Sequence, residues 1–428
     1  MKEKKLMPQD QVFWYLKKTV PQQLRKNIKT DVVIVGGGMA GLSAAQSFAE
    51  KGRSVVLLEK NYCGAGASGK SSGFITPDSE YNLTHFRHLF GSDNAKKLWA
   101  FVTSGVEFIR NNITTHDLYC DYQVQDCLIT AHGARDVAKI KTDHQTRLHL
   151  GYESTFYEAN ELVKILGSKN YCGGMRYSGT FGINTYLYCQ AMREVLEKRG
   201  VQIFEETPVL QIDTNGVQTP TGTIQADQII VCVDRFAPNL GKLTHDIYHA
   251  QTFLMMSSPL SDNDIRKIFP EKNLMVWDTD LIYQYYRLTP DNRFMIGGSN
   301  LLSIFRGKEQ HDNQCMFKKL QSYTKKKFPD VSINFEYFWP GLIGVSKDII
   351  PIADYDPTSK NIYYISGAAG LPWAAALGHY AAEKIIDGKT DFDTYFSLSR
   401  KFPVGNALQS IIGKRAAFAV SNLISLYK

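Results

Sequence analysis

The segment 31–59 constrains the fold more than any other part of the chain. It opens with a β-branched run, residues 31–35, which is typical of a buried parallel strand. A glycine-rich turn with the spacing G-x-G-x-x-G follows, and apolar residues then recur at helical spacing. A second apolar run, residues 54–58, completes a strand–helix–strand unit. This unit predicts a parallel sheet of the α/β class.

Each glycine of this turn, and the acid after the second strand, has a physical role. Gly36 makes the tight turn, Gly38 lets a diphosphate approach the backbone, and Gly41 lets the helix pack close to the sheet. The N-terminus of the helix offers N–H groups and a positive dipole end to the phosphates. Glu59 follows the second strand and can accept hydrogen bonds from a ribose, which favours FAD or NAD over NADP.

Length and composition are those of a globular protein with more than one domain. The chain has 428 residues, of which 43% are hydrophobic and 21% are charged. Its seven cysteines form no C-x-x-C pair, which indicates free thiols in a reducing compartment rather than disulfides or a zinc site. His245 and His249 have metal-ligand spacing, but no third ligand accompanies them, so we predict no metal site.

The positive charge is concentrated at the N-terminus. Residues 1–30 hold eight basic and two acidic residues, which accounts for six of the net +7 charges. Because the remainder is nearly neutral, the charge does not imply a surface for nucleic acid. The segment also lacks the continuous apolar core of a signal peptide. We predict a cytoplasmic protein, either free or peripheral on the inner face of the membrane.

The C-terminal segment 402–428 is apolar but not a membrane span. Gln409, Lys414 and Arg415 interrupt it near its middle. An amphipathic helix is predicted instead, and it either docks on its own protein or anchors at a membrane surface. Its apolar positions at helical spacing are Leu408, Ile411, Ile412, Ala419 and Leu423.

A second glycine-rich segment, residues 61–74, repeats the G-x-G-x-x-G spacing at Gly64, Gly66 and Gly69. No helical pattern follows it, so we expect a loop of backbone N–H groups and hydroxyls near a polar ligand, not a second dinucleotide site. Without a second nucleotide site, the expected electron acceptor is oxygen or a quinone.

A strand, a glycine-rich turn and a helix recur near the end of the chain. Residues 361–366 form the expected strand, Gly367 to Gly370 the turn, and the helix runs from about Leu371 to Ile386. This helix either directs its N-terminus at a ligand along the sheet edge, where its dipole would favour reduction of a flavin, or is a plain C-terminal helix.

Five sequence blocks in order resemble the D-amino-acid-oxidase-like family of FAD oxidoreductases, over residues 28–400. The most similar members are of the gamma-glutamylputrescine oxidase type. The blocks are VVIVGGGMAGLSAA with Glu59, GASGKSSGF (66–74), YYRLTPDNRFMIGG (285–298), WPGLIGVSKDIIPIAD (339–354) and SGAAGLPWAAALGHYAAEKI (366–385).

The resemblance implies an α/β fold with a discontinuous Rossmann-type FAD-binding domain and a substrate domain of α+β type with an antiparallel sheet. FAD is expected to be non-covalent, because the turn 367–373 has no cysteine and the loop 64–73 no histidine. The expected division is a basic segment (1–27), the FAD domain (28–85, 170–235 and 340–400), the substrate domain (86–169 and 236–339) and a tail (401–428). The FAD-binding residues implied are Gly36, Gly38, Met39, Ala40, Gly41, Glu59, Lys60, Ala67, Ser68, Gly69, Lys70, Ser71, Val209, Gly367, Gly370 and Leu371.

One departure from the family bears on the substrate. Glycine oxidases and D-amino-acid oxidases place an arginine for the substrate carboxylate where this chain has Ile343. Arg287 could compensate, although a strand arginine of the usual Tyr-x-Arg-x-Thr block is the favoured interpretation. Aromatic side chains could instead bind an amine, partly through cation–π contact. The candidates are Tyr283, Tyr285, Trp339 and Trp373.

We therefore predict an enzyme that oxidises the C–N bond of a small amine, of gamma-glutamylputrescine, polyamine or secondary-amine type. Hydride would pass to flavin N5 and the imine would hydrolyse in water; no catalytic base is identified. One alternative is a D-amino-acid dehydrogenase or oxidase that passes electrons to a quinone or oxygen. Another is a flavoprotein without catalytic activity.

Overall fold

A computed structural model describes residues 11–15, 21–78, 81–271, 274–279, 283–304, 313–402 and 404–427. Most of the basic N-terminal segment lies outside these residues. Two large sheets and one small sheet organise the described chain. The small sheet contains the strands Phe74–Ile75, Phe181–Gly182 and Gln123–Val124.

The first sheet is built around the predicted strand–helix–strand unit. Five of its strands run parallel. In the unit, the strand Val55–Leu58 is buried throughout and the strand Ile28–Val35 is buried from Val32 onward. The prediction of a parallel sheet is therefore confirmed. The parallel strands are, in order, Gln202–Phe204, Val55–Leu58, Ile28–Val35, Gly222–Val231 and Ile362–Ser366; Gln211–Asp213, Gly216–Thr219 and Ile352–Tyr355 add antiparallel edges.

Helices cover the first sheet through a continuous apolar core. The helix Met39–Glu50 packs against Leu371–Asp387, which in turn packs against Ser92–His116. The approach of the first pair is close, because a Cβ on Gly378 would lie 2.4 Å from the Ala40 carbonyl oxygen. The other helices are Ala67–Lys70, Leu83–Phe90, Ala134–Leu150, Ala159–Ile165, Thr185–Lys198, Asp262–Ile268, Gln314–Lys327, Asp393–Phe396, Asn406–Tyr427 and the 3-10 helix Asp234–Leu240.

The second sheet is antiparallel except for one parallel pair, Leu274–Asp278 with Asp126–Ala131. One face packs on the helices Asp262–Ile268 and Gln314–Lys327. The opposite face is turned toward the glycine-rich loop that follows Glu59, because Phe74 stacks on Trp277 with ring centroids 5.9 Å apart. The strand order is Phe335–Ser346, Ile247–Pro259, Arg293–Ile304, Tyr285–Leu288, Leu274–Asp278, Asp126–Ala131, Gly173–Tyr177, Thr155–Glu158.

Strand pairing places two segments, and helix packing a third, differently from the expected domain division. The strand Gly173–Tyr177 belongs to the second sheet, although the sequence division placed residues from 170 in the first domain. The strand Phe335–Ser346 likewise runs past residue 340 without leaving the second sheet. The helix Ser92–His116, expected in the substrate domain, packs in the core of the first sheet. These assignments depend on contacts between distant segments, which local patterns do not encode.

The predicted amphipathic C-terminal helix is present as Asn406–Tyr427, with a kink at Gly413, where φ is +80°. Gln409 is buried and donates to the His245 carbonyl oxygen over 2.9 Å. Leu408, Ile411 and Ile412 are exposed by 47%, 82% and 37%, so these three apolar side chains point away from the protein. The side chains of Ala419 and Leu423 lie outside the described residues. Among the described residues, no helix is sufficiently long and apolar to cross a membrane.

Candidate active site

The first glycine turn lies where the strand Ile28–Val35 passes into the helix Met39–Glu50. Gly36 has φ of +112°, and a Cβ there would lie 2.5 Å from the Cys232 carbonyl oxygen. A Cβ on Gly41 would lie 1.9 Å from the carbonyl oxygen of Gly36. Both positions therefore require glycine for the backbone alone. Gly38 caps the helix without a side-chain hydrogen bond, so its N-terminus offers backbone N–H groups.

Glu59 stands at the end of the second strand, beside this turn. Its Oε2 accepts from the Gly37 N–H over 2.8 Å and its Oε1 from the Asn61 N–H over 2.9 Å. Burial raises the pKa of Glu59, while these backbone donors oppose the rise. Next to it, Lys60 lies with Nζ 3.0 Å from the centroid of the Phe236 ring. The carboxylate is thus fixed at the edge where the ribose of a dinucleotide is expected.

The second glycine segment has nearly the same backbone geometry as the first. Gly64 has φ of +80°, and a Cβ on Gly69 would lie 2.0 Å from the Gly64 carbonyl oxygen. A four-residue helix, Ala67–Lys70, begins within the spacing and ends one residue after Gly69, so the long helix that follows the first turn has no counterpart here. Ser68 Oγ accepts from the Met39 N–H over 3.0 Å, which seats the segment against the N-terminus of the first helix.

Side chains from distant elements hold this segment through its carbonyl oxygens. Trp14 Nε1 donates to Ser71 over 2.9 Å, and Trp339 Nε1 donates to Lys70 over 3.1 Å. Thr185 Oγ1 donates to the carbonyl oxygen of Ser68 over 2.6 Å. The loop from Ala67 to Ser71 is therefore clamped between the N-terminal aromatic segment, the second sheet and the helix Thr185–Lys198.

Arg287 and Trp373, two of the substrate candidates, serve the fold instead. The Arg287 guanidinium is buried and donates to the carbonyl oxygens of Ser72, Ile183 and Leu288 over 2.9, 2.8 and 3.2 Å. Burial lowers its pKa to about 10. Trp373 is buried against the rings of Phe86, Phe101 and Phe396. The strand-arginine interpretation of Arg287 fits these bonds, and a substrate contact does not.

The second sheet turns a row of aromatic and aliphatic residues toward the loop. Directly paired residues share a face of a sheet, and Tyr285 packs against Phe74 with centroids 5.7 Å apart. Gly297 makes room for the Tyr285 ring, because a Cβ there would lie 2.3 Å from it. Ile343 lies on the same face as Trp339, being four residues along one strand. The row across the strands is Trp339, Leu254, Gly297, Tyr285 and Trp277.

The last glycine turn opens at the same edge of the first sheet as the first turn. Its strand, Ile362–Ser366, runs parallel to Gly222–Val231, which runs parallel to Ile28–Val35. Gly367 and Gly370 have φ of +67° and +117°, and the helix beginning at Leu371 has no side-chain cap. Two helix N-termini therefore face one edge, where the ligands of such sheets bind. Two other residues predicted to line the site, Tyr283 and Val209, are partly buried.

The segment that leads to Val209 also reaches this edge. Thr207 N–H donates to the Glu59 carbonyl oxygen over 2.9 Å, which brings the segment leading to Val209 beside the acid. Among the described residues, no group of three metal-ligating side chains is close enough to hold a metal ion. The residues at this edge supply mainly backbone N–H groups and a dipole, as a diphosphate requires.

Sequence reasoning missed Asp234 at this edge. It begins the 3-10 helix Asp234–Leu240 with φ of +47°, and its carboxylate accepts from the N–H groups of Gly344 and Gly367. No motif marks it; the only signal is an acid immediately after a strongly apolar strand. The bond from Trp14 to the loop likewise joins segments that are distant in the chain, so no local pattern marks it.

The described geometry agrees with three comparisons. The sequence model of a family described as FAD dependent oxidoreductase matches residues 31–384. A probable oxidoreductase named OrdL from Haemophilus influenzae is 26% identical over 373 residues, 83% of each chain. The gamma-glutamylputrescine oxidoreductase of Escherichia coli is 26% identical over 398 residues, 90% of this chain and 91% of the relative. Among solved structures, glycine oxidase from Geobacillus kaustophilus has a TM-score of 0.76 at 17% identity, over 88% of this chain and 100% of the other.

Proposed function

The chain belongs to the family of FAD-dependent oxidoreductases, and on that premise we propose that it oxidises the C–N bond of an amine whose reacting carbon carries no carboxylate. Its membership confirms the resemblance drawn from the sequence blocks and makes it an enzyme of amine or amino-acid oxidation with FAD as cofactor. The narrower choice of a gamma-glutamylputrescine-like, polyamine-like or secondary amine rests on the side chains of the second sheet.

The ADP half of FAD would be held by the first glycine turn, its helix and Glu59. The turn that opens the helix Leu371–Asp387 would meet the flavin end, where the positive helix end favours developing negative charge. No cysteine stands in the turn 367–373 and no histidine in 64–73, which supports non-covalent binding. Bound FAD supplies the acceptor for a hydride, and the imine left behind hydrolyses in water.

The single observation that carries the substrate class is the side chain at position 343. Ile343 is partly buried in an apolar cluster with Tyr248, Val345, Ala250 and Ala369, and its own side chain offers no charge to a carboxylate. Arg287 is held by three carbonyl oxygens and cannot replace the missing arginine. An apolar, aromatic face orients a neutral amine and excludes water, and an ammonium group elsewhere on the substrate would lie against a ring face.

Ile343→Arg tests this proposal. In the wild-type holoenzyme without oxygen, we expect primary and secondary amines to bleach the flavin absorbance at low concentration and D-alanine or glycine to bleach it poorly. The introduced guanidinium would offer a bidentate partner to a carboxylate, so the variant should gain about tenfold in apparent affinity for the amino acids, worth ~1.4 kcal/mol. The measurement is the concentration dependence of anaerobic bleaching.

Ile343→Leu is the matched control, because it changes shape without adding charge. It should leave the ranking of amines over amino acids intact. Wild-type protein that is bleached readily by D-alanine and by no amine would overturn the proposal and favour a D-amino-acid dehydrogenase.

We also propose that the C-terminal helix contacts an anionic membrane surface, which would suit a quinone as electron acceptor. Residues 401–428 contain four basic and no acidic residues, so charge favours anionic lipid. Tyr248 donates to Gln409 Oε1, which holds the helix on the protein and leaves Ile411 outward. Tyr248 also packs beside Ile343 and Ala369, so such a surface would lie close to the proposed site.

Ile411→Asp tests the membrane contact. Removing one apolar side chain and adding a negative charge should weaken co-sedimentation with anionic vesicles by roughly tenfold or more, because burying such a side chain contributes about 1.5–3 kcal/mol. Leu148→Asp is the control, since Leu148 is 52% exposed on the helix Ala134–Leu150. Equal pelleting of both variants, or wild-type protein that stays in the supernatant, would contradict the contact.

A further inference from the structure

Asp234 joins three segments that meet at the edge of the first sheet. It follows the strand Gly222–Val231 and adopts φ of +47°, a left-handed conformation that non-glycine residues rarely occupy and that aspartate and asparagine tolerate best. Such conformations persist where the surrounding contacts impose them. The hydrogen bonds of Asp234 explain why it adopts the left-handed conformation.

Both carboxylate oxygens of Asp234 are engaged by backbone donors. Oδ2 accepts from the Gly344 N–H over 2.6 Å, and Oδ1 accepts from the Gly367 N–H over 3.0 Å. The backbone oxygen of Asp234 accepts from Ser366 Oγ over 2.8 Å. Burial raises the pKa of Asp234, and the backbone donors oppose the rise. Hydrogen bonds of this charge-assisted kind are about twice as strong as neutral ones.

The two glycines bonded to Asp234 belong to different parts of the fold. Gly344 lies in the strand Phe335–Ser346 of the second sheet, directly after Ile343. Gly367 follows the strand Ile362–Ser366 of the first sheet and opens the turn to Gly370. A Cβ on Gly344 would lie 2.6 Å from Asp234 Oδ1, so only glycine permits this approach.

A further contact ties the same short helix to the second sheet. His249 Nε2 lies 2.9 Å from the Arg235 carbonyl oxygen, and His249 is paired with Gly344 across neighbouring strands. Because Arg235 directly follows Asp234 in the chain, this contact supports the carboxylate in holding the two sheets at one separation. Asp234 and Arg235 are therefore both bonded to the second sheet, one to Gly344 and the other to His249 on the neighbouring strand.

We propose that Asp234 is a positioning residue that fixes the distance between the substrate wall at Ile343 and the flavin-facing turn at Gly367. The inference rests on the proposed function, which places these elements on two sides of the reacting amine. Reacting atoms must approach within a few tenths of an ångström of their productive geometry, and a displacement of ~1 Å can cost about 100-fold in rate. Asp234 would thus act through the backbone, without touching substrate.

Only a carboxylate side chain can make both of these hydrogen bonds. The N–H groups of Gly344 and Gly367 face different oxygens of the side chain, and a carboxylate offers an acceptor to each. Asparagine has one carbonyl oxygen, so Asp234→Asn would set an NH₂ donor against one of the N–H groups. Asparagine has the same size and the same tolerance of left-handed φ. The substitution therefore tests the second acceptor rather than volume or backbone preference.

The experiment compares Asp234→Asn with Asp117→Asn as holoenzymes. Asp117 is an exposed residue with φ of +48° at the end of the helix Ser92–His116, so the control makes the same substitution in the same conformation. We expect Asp234→Asn to retain FAD and to slow anaerobic flavin reduction by an amine about 10- to 100-fold. Hydrogen exchange in peptides covering Gly344 and Gly367 should accelerate, and the visible flavin spectrum should shift.

Equal exchange, spectrum and reduction rate in the two variants would overturn the proposal. Should Asp234→Asn fail to fold, Asp234→Gly decides, since glycine adopts the left-handed conformation freely and removes the carboxylate. Normal reduction by folded Asp234→Gly would also contradict it. Wild-type protein that no amine reduces would refute the amine function alone, because hydrogen exchange and the flavin spectrum are compared without substrate.

Discussion

Gly41→Ala should purify as a colourless protein. Its Cβ would lie 1.9 Å from the Gly36 carbonyl oxygen, so either the helix or the turn must move. Overpacking of this kind costs about 1–3 kcal/mol. Here the displaced atoms are the backbone groups expected to bind the diphosphate, so the cost falls on cofactor binding. We expect FAD affinity to fall at least ~10-fold, measured as FAD per protein after gel filtration.

Gly133→Ala is the matched control for this prediction. Gly133 also precedes a helix, Ala134–Leu150, but a Cβ there meets nothing within 4 Å and its φ is −157°. The control should keep the FAD content and thermal midpoint of the wild type. Yellow Gly41→Ala protein with a full complement of FAD would show that this turn does not bind the cofactor.

Arg147→Met should produce the largest loss of folding stability. Arg147 NH2 donates to Asp78 over 2.7 Å and its Nε to Asp143 over 2.9 Å, with all three side chains at most 3% exposed. Burial by itself lowers the pKa of Arg147, but attraction to the two carboxylates raises it overall. Methionine would leave two carboxylates enclosed without their counter-ion, which costs about 3–5 kcal/mol.

The loss of the ion pair should also weaken FAD binding, because Asp78 connects Arg147 to the candidate site. Asp78 lies shortly after the glycine segment, and Arg147 lies on the helix Ala134–Leu150, so the ion pair ties the loop exit to the rest of the fold. Thermal unfolding followed by circular dichroism and by release of FAD fluorescence would measure both effects. We expect FAD release to begin at a lower temperature in Arg147→Met than in the wild type.

Arg176→Met provides a control with the same chemistry at the surface. Arg176 also binds two carboxylates, Asp126 over 2.8 Å and Glu271 over 2.6 Å, but its side chain is 27% exposed. Solvent screens such pairs, so the expected cost is about 1 kcal/mol or less. If both variants lost equal stability, burial would not be the reason for the importance of Arg147.

The parts of the fold that follow from the sequence are those encoded locally. The first turn is an example, because Gly41 must be glycine on account of a backbone contact with Gly36, five residues earlier. The strands on either side follow from short, β-branched apolar runs, which are typical of a sheet buried on both faces. The beginning of the helix Leu371–Asp387 was also predicted correctly, because the glycine-rich turn that ends at Gly370 is a local signal.

The orientation of side chains between distant segments could not be read from the sequence. Arg287 and Tyr285 are two residues apart on one strand and share a face, yet the carbonyl oxygens of Ser72 and Ile183 capture the guanidinium alone. Trp373 was an equal candidate by residue type, and the helix that carries it buries it in the core. Asp234 escaped notice because its partners, Gly344 and Gly367, lie more than a hundred residues away.

The stoichiometry of one anaerobic turnover is the decisive test of the proposed amine oxidation. The FAD-loaded protein is mixed with an amine that carries a gamma-glutamyl group at its far end, and bleached flavin, aldehyde and ammonia are measured together. We expect one aldehyde and one ammonia per flavin bleached, and little bleaching by D-alanine at equal concentration. Bleaching by D-alanine with release of its keto acid, and none by the amine, would contradict it.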